Sequence, residues 1–133
     1  MLKRLFIQNY AIIDEVTIEL SSGFSAITGE TGAGKSVLLG GLGLVLGKRV
    51  DFSHINDINK KCIIEAVFNI DKFNLKSFFE TNDIDFDAQT ILRREVLPSG
   101  KSRAFINDSP VNLSVLSALG EQLIDIHSQQ QTQ

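Results

Sequence analysis

The chain reads as an α/β fold in which a glycine-rich loop joins a strand to a buried helix and antiparallel hairpins supply much of the rest. Three observations in the 133-residue sequence point that way. The first is the run Gly29-Glu30-Thr31-Gly32-Ala33-Gly34-Lys35-Ser36, preceded by the apolar residues 24–28 and followed by the apolar residues 37–46. The second is a two-residue alternation at 16–20 and again at 62–70, the period of a half-buried strand. The third is Pro98-Ser99-Gly100-Lys101, a turn sequence between two strand-like runs at 90–97 and 103–107.

Taken in order, residues 3–9 and 16–20 are expected as strands, with 10–15 connecting them. Ser21-Ser22-Gly23 is the turn into a third strand at 24–28, which feeds the glycine-rich loop. Residues 37–46 form a helix that is apolar nearly all round and therefore buried. Gly40, Gly41 and Gly43 each cost such a helix about 1 kcal/mol relative to alanine, which close packing against a sheet would explain. Gly47 is placed to end it. Residues 50–61 are polar and irregular, a loop. Residues 62–70 are a strand with Ile64, Ala66, Phe68 and Ile70 on one side, and 73–82 a short amphipathic helix. After the hairpin, 113–119 is a helix capped by Asn112, and 123–127 a final buried strand running into the glutamines.

Composition is that of an ordinary globular protein, 43% hydrophobic and 22% charged, and the length is one domain's worth. No apolar run approaches the roughly 18 residues needed to span a bilayer, and the first residues do not read as a signal peptide. A membrane role is not expected, and the cytoplasm is the expected compartment. The single cysteine, Cys62, excludes an internal disulfide and a cysteine-rich zinc site. A net charge of −3 gives no global footprint for nucleic acid.

The glycine-rich run carries the chemistry. Glycines let the backbone curl so that successive N–H groups converge on phosphate oxygens, and a helix N-terminus adds unpaired donors and a favourable partial charge. In that arrangement Lys35 reaches the β- and γ-phosphates and the Ser36 hydroxyl holds Mg2+. The spacing, with its strand before and helix after, is that of a phosphate loop for a nucleoside triphosphate. Pro98-Ser99-Gly100-Lys101-Ser102 lacks the first glycine of the spacing and a helix behind it.

Turnover requires more: an acidic residue to hold Mg2+ and a group that positions the attacking water. Ile12-Ile13-Asp14-Glu15 has suitable lettering but precedes the loop, and Asp125 is not followed by glutamate, so both read as structural. No guanine-reading Asn-Lys-x-Asp occurs, since Asn59-Lys60-Lys61 is followed by Cys62. Arg93, Arg94, Lys101 and Arg103 make a basic hairpin that could touch DNA or a partner, or simply be solvated.

Four collinear stretches are similar to the N-terminal part of the RecN-like DNA-repair ATPases, in the structural-maintenance-of-chromosomes (SMC) branch of the ABC-type ATPases. They are residues 7–14, residues 27–36 with Leu42-Gly43-Leu44, residues 101–107, and Leu123-Ile124-Asp125-Ile126-His127-Ser128-Gln129. The resemblance implies the N-terminal lobe of an ATPase head with an antiparallel β subdomain, occupying 1–133 as one unit and ending before a coiled coil. It implies that residues around 128–130 are the Q-loop, with Gln129 as a Mg2+ ligand and γ-phosphate sensor, a role an amide oxygen can fill. The implied cofactors are ATP and Mg2+. The implied partners are the C-terminal half of the same head, a second head of a homodimer that sandwiches the ATP, and DNA through the full-length protein. No catalytic residue is then expected within these residues, and the lobe alone should be inactive. A complete small phosphotransferase and a non-hydrolysing interaction module remain open alternatives.

Overall fold

The computed structural model describes residues 1–20 and 32–131, with backbone alone for 32–33 and 126–131. The expected turn at 21–23, the third strand at 24–28 and loop residues Gly29, Glu30 and Thr31 lie outside the described residues.

Among the described residues six strands form one sheet in the order β2-β1-β3-β4-β5-β6. They are β1 (Leu2–Tyr10), β2 (Ile13–Glu19), β3 (Cys62–Asn69), β4 (Gln89–Val96), β5 (Ser102–Ile106) and β6 (Ser109–Val111), and every pairing is antiparallel. The helices are α1 (Gly32–Val45), the short α2 (Lys76–Thr81) and α3 (Leu113–Gln131).

Register sorts the side chains onto two faces. Leu5, Ala66, Leu92 and Ile106 align across four strands, as do Ile7, Ile64, Arg94 and Ala104. All eight are buried, and α1 packs on this face. The glycines of α1 allow the approach: a Cβ on Gly41 would press on Ile7 Cδ1 at 2.9 Å, and one on Gly40 would meet the Tyr10 hydroxyl. The opposite face mixes half-buried apolar residues with cross-strand ion pairs. Arg93, opposite Glu65, bonds it at 2.6 Å and Glu95 at 2.9 Å; Arg4 bonds Glu19 at 2.7 Å.

Several expectations need correction. β2 begins at Ile13 and not at 16, because the chain reverses through Ala11 (φ 53°) and Ile12, so that Tyr10 already pairs with Ile13. The helix expected at 73–82 is confined to Lys76–Thr81. A strand was missed: Asn107 (φ 49°) and Asp108 (φ 68°) form a tight hairpin turn, the left-handed pair that favours such residues, and β6 follows with Pro110 on the sheet edge. The final strand at 123–127 does not exist. Residues 113–131 are one helix, and its buried positions Leu116, Leu119, Gly120 and Leu123 follow the 3.6-residue period. A strand would instead have put Leu123, Asp125 and His127 on one face.

Candidate nucleotide site at the head of helix α1

α1 starts at Gly32, so Gly32, Ala33, Gly34, Lys35 and Ser36 form its opening turns, earlier than the expected start at 37. The first N–H groups of a helix have no intrahelical acceptor, and the peptide dipoles sum to a partial positive charge there. No acidic residue occupies this first turn. Gly34 is exposed, with no atom of the described residues within 4 Å of where a Cβ would sit. Lys35 is half-buried and the Ser36 hydroxyl lies on an exposed residue. A glycine backbone, a lysine and a serine thus stand together in the opening turns of a helix whose end is positive, residue types that suit a polyphosphate and its metal ion.

The other end of α1 is closed. Gly47 (φ 100°) ends the helix, its N–H donating to Leu44 O at 3.1 Å while Lys48 N–H reaches Gly43 O at 3.0 Å. That pair of bonds is the glycine C-terminal motif expected from the sequence. α3 crosses here: Ser117 Oγ donates to Gly47 O at 3.0 Å, and a Cβ on Gly120 would collide with Leu46 O.

Arg94 completes this junction. It is 2% exposed and donates through Nη1 to Leu44 O (2.8 Å) and Lys48 O (2.9 Å), and through Nε to Ser102 Oγ (2.6 Å). Burial holds its guanidinium below the ordinary arginine value. The same burial pushes the neighbouring Cys62 thiol up to about 11. The basic hairpin therefore divides between faces. Arg94 points into the core, Arg93 and Arg103 are drawn to Glu95, and Lys101 is exposed on the turn. Strand alternation held the signal: Thr90, Leu92, Arg94 and Val96 share one side, so Arg94 had to face inward.

Gln129 lies near the end of α3, on helical backbone and not in the loop expected beyond a strand. α3 meets the end of α1 at Ser117, against Gly47, and at Gly120, against Leu46, about 18 and 13 Å back along α3 from Gln129. Asp14 and Glu15 sit on edge strand β2 and not in a connector, Asp14 accepting from Asn56 Nδ2 at 3.1 Å. Asn9, in the left-handed region (φ 58°), holds the 57–61 loop, donating to Asp57 O at 2.9 Å and Lys60 O at 3.0 Å and accepting from Asp57 N at 2.7 Å. Among the described residues no group of three or more His, Cys, Asp or Glu could hold a metal ion, and no helix is long and apolar enough to cross a membrane.

Comparison with known proteins agrees with this geometry. The family model described as AAA domain matches residues 4–133. The DNA repair protein RecN of Vibrio cholerae is 45% identical over 130 residues, 97% of this chain and 24% of that protein. RecN of Haemophilus influenzae is 39% identical over 137 aligned positions, 100% of this chain and 25% of that protein. The chain thus spans about a quarter of the length of these relatives and corresponds to their N-terminal part. Among solved structures, one from work on ATP-driven dimerization and DNA-stimulated activation of SMC ATPases superposes with a TM-score of 0.64 at 22% identity, covering 88% of this chain and 75% of that one. The SMC head domain from Thermotoga maritima gives 0.56 at 19% identity, covering 85% and 39%. The chain belongs to the AAA domain family, with the fold of the N-terminal lobe of an SMC-type ATPase head and RecN proteins as its relatives.

Proposed function

We propose that this chain is the ATP-binding N-terminal lobe of a RecN-like ATPase acting in DNA double-strand-break repair and recombination. The observation that carries the proposal is the phosphate-loop sequence ending on the open head of α1, where Lys35 and Ser36 stand in the opening turns. In this reading Gly29, Glu30, Thr31, Gly32, Ala33 and Gly34 wrap the phosphates with main-chain N–H groups, and Lys35 neutralises the β- and γ-oxygens. The Ser36 hydroxyl would hold Mg2+, which would supply charge neutralisation for the phosphates. Gln129 is proposed as the second Mg2+ ligand, a sensor carried by the end of α3.

The relatives' names support the repair role, and the likeness to SMC heads supports a second head as partner. ATP would lie between two heads of a homodimer, with the C-terminal half of each head supplying what these residues lack. DNA would be engaged by the full-length protein, in the cytoplasm and at the nucleoid. Arg93 and Arg103 are poor candidates for that contact, because both are already drawn to Glu95. Titration of the natural full-length protein with Mg2+ and ATP tests the site. Binding heat that disappears in Lys35→Ala is expected, and heat indifferent to that change would remove the proposal.

A further inference from the structure

We infer that Arg94 is a positioning residue for the nucleotide site, clamping the far end of α1 so that its open end holds Lys35 and Ser36 in place. The inference rests on the phosphate-loop reading of that open end. Arg94 is a buried cation whose described partners are two main-chain carbonyls and one hydroxyl, and no described carboxylate pairs with it. Burying an unpaired guanidinium costs several kcal/mol, and an apolar side chain of similar volume would fill the space without that cost. What arginine adds is direction, through a planar fork of N–H donors whose geometry is fixed.

The fork meets a specific need. A helix C-terminus carries partial negative charge, and Leu44 O, already bonded by Gly47 N–H, keeps a second lone pair for another donor. α1 has no basic residue in its own last turn. Arg94 supplies that charge from β4, taking Leu44 O and Lys48 O together, while Ser102 of β5 fixes the guanidinium plane through Nε. Ser117 of α3 holds the adjoining Gly47 O. The end of the phosphate-loop helix is therefore bonded to β4 and α3 by groups that tolerate little displacement. Leu44 is nine residues beyond Lys35, about 13 Å along the helix. A rotation or slide at the clamped end is carried to the open end as a misplacement of Lys35 and of the first N–H groups.

The test is Mg–ATP affinity in the natural full-length protein, read at a temperature well below every variant's melting point. Arg94→Met keeps the volume and removes the donors; about a tenfold loss of affinity is expected. Arg94→Lys keeps a cation that can reach the carbonyls but has no planar fork, and should recover part of the loss, to about threefold. Phe79→Leu, a truncation in the cluster of Phe78, Phe79 and Phe86 rings, lowers stability without touching the clamp and should bind as the parent does. Arg94→Met binding like the parent would overturn the clamp. So would a loss in Phe79→Leu equal to that in Arg94→Met, since stability alone would then explain both. Lys35→Ala separates this from the underlying reading: if it leaves affinity unchanged, the phosphate-loop site itself is wrong.

Discussion

At its C-terminal end α1 is enclosed. Leu42, Leu44, Val45 and Leu46 are buried, and Arg94, Ser117 and Gly120 press on the final carbonyls. At its N-terminal end Gly34 and Ser36 are exposed, Lys35 is half-buried, and the first turn holds no acidic residue of its own. One helix thus has a finished end and an unfinished one. The finished end has its carbonyls satisfied by protein, as buried backbone requires. At the other end no acidic residue of the first turn meets the positive charge of the helix, and in the proposed function a polyphosphate does. Stability and function should therefore respond to substitutions at opposite ends.

The largest effect should come from filling the closed end. Gly120→Val would put a branched side chain against Leu46 O, and because the obstacle is main chain it cannot step aside. A loss of about 3 kcal/mol is expected, read as a drop in Tm of at least 10 °C or failure to fold. A Tm near the parent's would show that α3 does not press on α1 as described.

A smaller effect comes from the Cys62 thiol beside the clamp. Its pKa is about 11 in the fold against an ordinary 9.0, because burial disfavours the thiolate. The folded state holds its proton where the unfolded state has released it. The contribution is present in full below pH 9, falls as pH rises, and is gone above pH 11. Denaturant titrations across that window should show up to about 3 kcal/mol of stability lost, most of it absent in Cys62→Ala once that variant's own baseline is subtracted. An identical pH profile in the two proteins would place the thiol in water.

At the open end the sign reverses. Gly34→Ala adds a methyl where none of the described residues stands within 4 Å, and alanine is the better helix former. Stability should rise by about 0.5–1 kcal/mol while Mg–ATP affinity falls, the methyl occupying space the phosphates need. A variant both more stable and equally tight would mean that the head of α1 is not the phosphate site. The smallest effect is expected on the outer face. Glu19→Gln removes the exposed partner of Arg4 and should change stability by less than about 0.5 kcal/mol.

How much was legible in the sequence follows this same division. The phosphate-loop spacing, the apolar helix behind it and Gly47 as its stop were readable because each rests on local rules of spacing and backbone freedom. So was the inward row of Ile64, Ala66, Phe68 and Ile70, which alternation alone assigns. What failed depended on partners distant in sequence. Leu123 and Ile124 looked like a short apolar strand until Leu116, Leu119 and Gly120 are set on the same helical face. Arg94 looked like part of a basic surface because charge outweighed its place in the alternation. Its acceptors, Leu44 and Lys48, lie 50 and 46 residues away. β6 hid behind Asn107-Asp108, a turn whose two left-handed residues are less conspicuous than a glycine.

The central claim is that this lobe carries one half of a divided nucleotide site. The most direct test is steady-state ATP hydrolysis by residues 1–133 alone and by the natural full-length protein, each beside its Lys35→Ala variant. Negligible turnover by the lobe, with Lys35-dependent hydrolysis by the full-length protein, is the predicted result. Substantial Lys35-dependent hydrolysis by the lobe alone would contradict it, and would mark a complete phosphotransferase in its place.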